Sequence, residues 1–314
     1  MLPKVLAFFL LIASLFSISN PDSNRPRLLG VAHVALLVSD MGQSRRFYQD
    51  FLGFQEPYQL NNADGSLSMT FIKVNDYQYI ELFPGLKADQ DRLHHLSFYT
   101  DNAEQARKYL GSSKIQVPAN IAKGRIGNFS FNVKDPEGHT LEFTQYEPTG
   151  WSMREKGKFI GDQRVSSRIL HVGILVGDVD KAMLFYSDVL GLQEFWRGNA
   201  RNSTEVSWIN MRLNGSEDYL EFMLYSELPP PDKRGTQHHI CLEVPDIEKA
   251  HALLDASPYR KYYQRPLEIR VGVNRRRQLN LYDPDGTRVE LMEPRTVDGK
   301  PAPASTSPLP RRPQ

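Results

Sequence analysis

His33 to Phe54 reads HVALLVSDMGQSRRFYQDFLGF, and His171 to Leu192 reads HVGILVGDVDKAMLFYSDVLGL. The two stretches match in step from the leading histidine through the closing glycine, and an internal repeat of this kind constrains the architecture before any local element is read. A second His-led segment follows in each half, HLSFYTDN from His95 and HICLEVPD from His239. Later come DPEGHTLEF from Asp135 and DPDGTRVEL from Asp283. The chain is therefore four related modules arranged as two pairs.

Within each module the periodicity changes in a fixed order. HVALLV and HVGILV alternate as half-buried strands, and the acidic turns Ser39-Asp40 and Gly177-Asp178 suit helix starts. Met41, Ser44, Phe47, Tyr48 and Phe51 then recur at helical spacing up to Gly53; Ala182, Phe185, Tyr186 and Val189 do the same up to Gly191. Tyr48 and Tyr186 fall in these apolar stripes and are expected in the core. Strands are predicted at SLSMTFIKV, YQYIELF, TEVSWINMRL and DYLEFMLY, with shorter helices from Ala103 to Leu110 and Ile247 to Leu254. The D-P-x-G segments are turns that aim the last strand of each half.

The 314 residues suffice for two domains of roughly 120 residues, each able to bury its own core. The expected boundaries are a signal peptide over 1–19, domains over 28–147 and 168–294, a polar linker over 148–167 and a disordered Pro-rich tail over 295–314. Net charge is +1, which gives no reason to expect nucleic acid or an anionic membrane as partner. The local run Arg275 to Arg277 reads as a solvated strand edge.

Met1 to Lys4 is a short basic start, VLAFFLLIASLF is apolar, and Ser17 to Ser19 supplies small residues at a cleavage point. The apolar run is short for a membrane span. An exported, periplasmic or secreted protein cut near Ser19 is expected, without stable membrane insertion afterwards; an uncleaved anchor is the alternative. Cys241 is the only cysteine, so no intramolecular disulfide forms, and its setting in an apolar strand fits a small buried side chain.

Candidate chemistry lies at matched places in the repeat. The first half offers His33, Glu81, His95 and Glu142; the second offers His171, Glu221, His239 and Glu290. Glutamates flanked by Ile, Leu and Phe on a strand are costly to bury unless a cation or hydrogen-bond network compensates them. Two imidazoles with two carboxylates suit a divalent ion that keeps positions open for water or substrate. His94 and His238 alternate away from these positions and are expected to be structural or rim residues, while His139, in a turn, is expected to be solvated.

The pattern H-V-x-(L/I)-x-V, the later F-Y-x-x-x-L-G and the closing D-P-(E/D)-G with a following Glu resemble the vicinal oxygen chelate superfamily, which includes glyoxalase I, bleomycin-resistance proteins and extradiol dioxygenases. The resemblance covers about residues 30 to 147 and 168 to 294. It implies an α+β fold of four βαβββ modules, paired into two glyoxalase-like domains with cup-shaped mixed sheets. It also implies a divalent metal (Ni, Zn, Fe or Mn) on the concave wall.

Glyoxalase I resembles the chain most closely, since the same His, Glu, His, Glu succession holds its metal. The implied activity is that of a lyase or isomerase that moves a proton on a small vicinal-oxygen substrate, with Glu142 and Glu290 as bases and Glu81 and Glu221 as their partners. An extradiol ring-cleaving dioxygenase is an alternative. The approach to the D-P motif, RIGNFSFNVKDP or VNRRRQLNLYDP, lacks the acid/base histidine expected there. A non-catalytic, antibiotic-type binding protein is a further alternative, against which two full ligand sets argue. Lys123, Arg125 and Arg275 are candidates to receive an anionic end of the substrate. The way the modules pair, within or between halves, and homodimerisation both stay open.

Overall fold

The computed structural model describes residues 25–311. The expected signal segment lies outside them. No helix among the described residues is long and apolar enough to cross a membrane.

Two eight-stranded sheets form, one from each half of the chain. The first contains β1 (Gly30–Val38), β2 (Gln55–Asn61), β3 (Leu67–Lys73), β4 (Tyr79–Pro84), β5 (Leu93–Tyr99), β6 (Ala122–Lys123), β7 (Phe129–Lys134) and β8 (Thr140–Gln145). Its order is β2-β3-β4-β1-β5-β8-β7-β6, which places two βαβββ modules side by side with β1 antiparallel to β5 at the seam. The second contains β9 (Ile169–Val176), β10 (Gln193–Gly198), β11 (Trp208–Arg212), β12 (Tyr219–Leu224), β13 (His239–Glu243), β14 (Ile269–Val271), β15 (Arg276–Tyr282) and β16 (Arg288–Thr296), in the same spatial order. Modules thus pair within each half of the chain.

Helix α1 (Met41–Arg45) starts at Asp40, whose side chain accepts from the Gln43 amide; α4 (Val179–Met183) starts at Asp178 in the same way. This is the capping role expected of the acidic turns. Each helix then widens into a π-helical turn, Arg46–Phe51 or Leu184–Val189, where the Leu52 amide bonds to Phe47 O and the Leu190 amide to Phe185 O. The wider turn lets adjacent residues, Phe47 with Tyr48 and Phe185 with Tyr186, face the core together. Gly53 and Gly191 end these segments at φ 78° and 77°, in the left-handed region open to glycine. Shorter helices α2 (Ala103–Ser112) and α5 (Ile247–Ala256) serve the second modules, and α3 (Trp151–Arg154) lies between the halves.

One continuous apolar core runs through both halves, and their contact is reciprocal. Tyr48 Oη reaches Asp283 Oδ2 at 3.2 Å, and Tyr186 Oη reaches Asp135 Oδ2 at 2.8 Å. The closing turn of each half is thereby docked on the first helix of the other. This corrects the expected exposure of His139. Its ring is buried, with Nδ1 2.8 Å from Asp135 Oδ2 and its edge against His238, because the turn that carries it is an interdomain contact.

The Pro-rich C-terminal segment is also corrected from disordered to docked, as far as Arg311. Val206 and Ser305 amides bond to Pro308 O and Arg197 O, Trp196 Nε1 donates to Pro303 O, and Leu309 packs on the core. Proline-rich chain is already extended, so pairing it with an exposed edge costs little conformational entropy.

Candidate metal centres

Strand register converges the eight candidate side chains on two concave walls. In the first sheet Ala35 of β1 lies between Glu81 of β4 and His95 of β5, while Ser97 lies between His33 and Glu142 of β8. The small Ala35 and Ser97 alternate with the large polar groups and leave them room to lean together. The second sheet repeats the arrangement with Gly173 and Cys241 in the small positions. A Cβ at Gly173 would meet the His239 ring at 2.0 Å, so that ring takes the space that the Ala35 methyl fills in the first sheet.

In the first cup His33 Nε2 lies 2.8 Å from both His95 Nε2 and Glu142 Oε2. His95 Nε2 is 3.6 Å from Glu142 and 3.7 Å from Glu81, and His33 Nδ1 is 3.6 Å from Glu81 Oε1. Donors each about 2.1 Å from a common ion stand roughly 3 to 3.5 Å apart, so this set fits a divalent metal. His33, Glu81 and His95 each offer an atom within a 4.8 Å cluster, as do His171, His239 and Glu290 in the second cup.

The two carboxylates of the first cup have opposite proton affinities. Burial pushes Glu81 up to about 8, with the charge of Glu142 adding to the effect and His95 opposing it. Burial also works against ionisation of Glu142, but hydrogen bonds from His33 and His95 outweigh it and hold the carboxyl well below the usual range. His94 is not turned away as expected. Its Nδ1 lies 2.7 Å from His95 Nδ1 and its ring stacks on Phe83, while burial and the neighbouring His95 charge lower it to about 4. A strand-end ring bends around its neighbour where strict alternation no longer holds.

The cavity over this set is about 240 Å³, and all four candidate ligands line it. Its other walls are mainly apolar, with Leu60, Met69, Phe71, Phe83 and Tyr146. Trp151 of α3 packs edge-on against Tyr58 behind them, so the linker segment braces the cup. Arg125 reaches the rim, held by Asn61 O and Ser68 Oγ. Lys123 and Arg275 do not join it; Lys123 lies over Phe129, and Arg275 pairs with Asp298. Arg277 pairs with Glu293, which accounts for another charge in the basic run.

The second cup is wider, about 720 Å³, and more polar, with Trp196, Trp208, Asn280, Arg270 and Arg288 on its walls. Glu221 and Glu290 line it. His171 and His239 are buried beneath. His171 Nε2 stands 3.0 Å from His239 Nε2 and 3.4 Å from Glu290, and His239 Nε2 is 3.4 Å from Glu221. Burial pushes Glu290 up to about 7 against the opposing charge of Arg288. Cys241 is buried as expected, and β-sheet register sets it beside Glu290 of β16. Arg288 was not singled out from sequence. The signal was present, because DPEGHTLEF places Thr140 where DPDGTRVEL places Arg288.

A paired-module cup with histidines and glutamates on its concave wall agrees with a family match. The glyoxalase/bleomycin resistance protein/dioxygenase superfamily model matches residues 30–143 and again residues 168–291. The chain belongs to this superfamily. Human mitochondrial methylmalonyl-CoA epimerase is 31% identical over 133 residues, which cover 40% of this chain and 72% of that protein. Among solved structures, the Mn(II)-bound glyoxalase of Novosphingobium aromaticivorans superposes with a TM-score of 0.65 at 15% identity, covering 85% of this chain and 83% of its own. Homoprotocatechuate 2,3-dioxygenase of Brevibacterium fuscum gives 0.61 at 21% identity, covering 85% and 72%. At these identities the two structures show that the superfamily fold extends over both halves.

Proposed function

We propose that the chain is a metal-dependent proton-transfer enzyme of the glyoxalase or epimerase kind, acting in its first cup on a small substrate with two adjacent oxygens. The carrying observation is the convergence of Glu81 and Glu142 on His33 and His95, carboxylate oxygens 2.8 to 3.7 Å from the imidazole nitrogens, beneath a mainly apolar cavity. Two carboxylates that share one site with a pair of imidazoles can hold an ion and move a proton there.

His33, Glu81, His95 and Glu142 would hold the ion. When bound, it supplies Lewis-acid polarisation of a carbonyl and stabilises negative charge developing on the chelated oxygens. Glu142, ionised, is the group able to accept a proton from the carbon beside that carbonyl, with Glu81 as its partner across the histidines. The apolar walls exclude water and strengthen these interactions. Arg125 at the rim is placed to meet an anionic end of the substrate. The relative named as an epimerase supports this reading, since epimerisation is a proton removed and replaced at one carbon.

Export with cleavage near Ser19 belongs to the same proposal. A glutathione adduct would then be scarce, and the substrate would be another hydroxy-ketone or related vicinal-oxygen compound.

Anaerobic incubation of metal-loaded protein in deuterated solvent, with hydroxy-ketones or hemithioacetals, is the direct test. Incorporation of deuterium next to the carbonyl is expected, with loss in Glu142→Gln. Oxygen uptake with a catechol, and no anaerobic exchange with any substrate, would replace this reading by ring cleavage.

A further inference from the structure

The cups share the same four residues, two histidines and two glutamates, but differ in what faces the second histidine. In the first, His95 Nδ1 lies 2.7 Å from His94 Nδ1. An imidazole nitrogen can donate or accept, so nothing there prevents His95 from holding its proton on Nδ1 and leaving an Nε2 lone pair for an ion. That tautomer can ligate a metal.

In the second cup the neighbour is Arg288, with Nη2 2.7 Å from His239 Nδ1. A guanidinium carries only donors. His239 Nδ1 must then accept, its ring proton sits on Nε2, and Nε2 donates toward Glu221, 3.4 Å away, instead of facing an ion with a lone pair. The Gln237 carbonyl, 2.8 Å from the same Nδ1, favours the opposite tautomer. A charged donor makes the stronger bond, so the guanidinium decides.

Charge points the same way. Arg288 and Arg276 both act on Glu290, whereas the charges acting on Glu81 are those of His95 and Glu142, and on Glu142 those of His33 and His95. Thr140 stands at the Arg288 position in the first cup and binds Lys134 at an exposed edge. A dication brought beside the Arg288 guanidinium is repelled. The close approach of His171, His239 and Glu290 is then a hydrogen-bonded cluster and not a vacant ligand set.

We propose that metal loading is confined to the first cup, and that Arg288 bars it from the second by holding the His239 proton on Nε2 and by keeping a positive charge beside the ligand set. The proposal builds on the reading of the first cup as a metal centre, but its test does not.

The full chain is stripped with chelator and titrated with Mn(II) under equilibrium dialysis, in a His33→Ala/His95→Ala background where only the second cup can answer. No bound ion is expected there; adding Arg288→Thr should bring about one per chain, and Arg288→Lys, which keeps charge and donors, should bring none. One ion in the background protein overturns the proposal, as does no gain in an Arg288→Thr protein whose circular dichroism matches its parent. Imidazole nitrogen NMR shifts of the unsubstituted chain supply a check independent of these variants: the His239 proton should be on Nε2, and a proton on Nδ1 overturns the proposal. Failure of the first-cup reading shows separately, as equal metal content with and without His33 and His95.

Discussion

Tyr186 donates its phenolic proton to Asp135 across the interface between the two halves, 2.8 Å from hydroxyl to carboxylate, with both groups buried. Asp135 also accepts from the Glu137 and His139 amides and meets the His139 ring. The turn that aims β8, and with it Glu142, is thereby held by a side chain from the other repeat.

Tyr186→Phe should cost about 1 to 3 kcal/mol of stability, the range for removing one partner from a buried, charged hydrogen bond. Urea unfolding measures it. Because the turn carries β8, metal affinity of the first cup should fall as well; an unchanged midpoint would show the interface bond to be dispensable.

Metal uptake should release a proton. Glu81 sits at about 8, so below that pH it must give up its proton before it can ligate. Apparent affinity should therefore rise with pH, by up to about tenfold per unit, and level off above about 8. Calorimetry at pH 7 in buffers of different ionisation enthalpy should find close to one proton released per ion from this group, and a Glu81→Gln protein should lose that release.

Glu142→Gln and His95→Ala should separate chemistry from ligation. The first keeps size but removes the ionised acceptor, so turnover should fall by more than tenfold beyond any loss of metal. The second removes an imidazole donor, and metal content itself should drop. Glu290→Gln should leave both nearly unchanged, which metal analysis beside a turnover assay will show.

Truncation after Thr296 should leave a folded protein with a loosened edge on the second sheet. The Val206 and Ser305 amides pair across this contact, and Asn199 donates to Ser307. Hydrogen exchange at Val206 should quicken by at least about tenfold while amides of β9 and β13 stay protected.

Protein recovered from its native compartment should begin near Asn20, and removal of the preceding residues should not affect folding, since the first repeat begins beyond them. N-terminal mass analysis decides it; Met1 on soluble cytoplasmic protein would exclude export.

The repeat by itself determined the module, the strand carrying each ligand and the two ligand types, because a strand shows its faces with period two and a duplicated pattern exposes the positions that alternate in step. His33, Glu81, His95 and Glu142 are all recoverable that way, as are the caps at Asp40 and Asp178. Which modules pair was not recoverable, since equivalent βαβββ units present equivalent edges and only the packed core chooses between them. The burial of His139 depends on a turn meeting the other half of the chain, a contact of long sequence separation that local polarity does not report. The tail was misread for the same reason: composition describes its stiffness, not the strand edge that receives it. The exchange of Thr140 for Arg288 is written in the sequence, but its meaning comes from the register that sets Arg288 beside His239. Tertiary structure alone decided that one histidine faces an imidazole and its counterpart a guanidinium, because hydrogen-bond roles depend on which atoms meet.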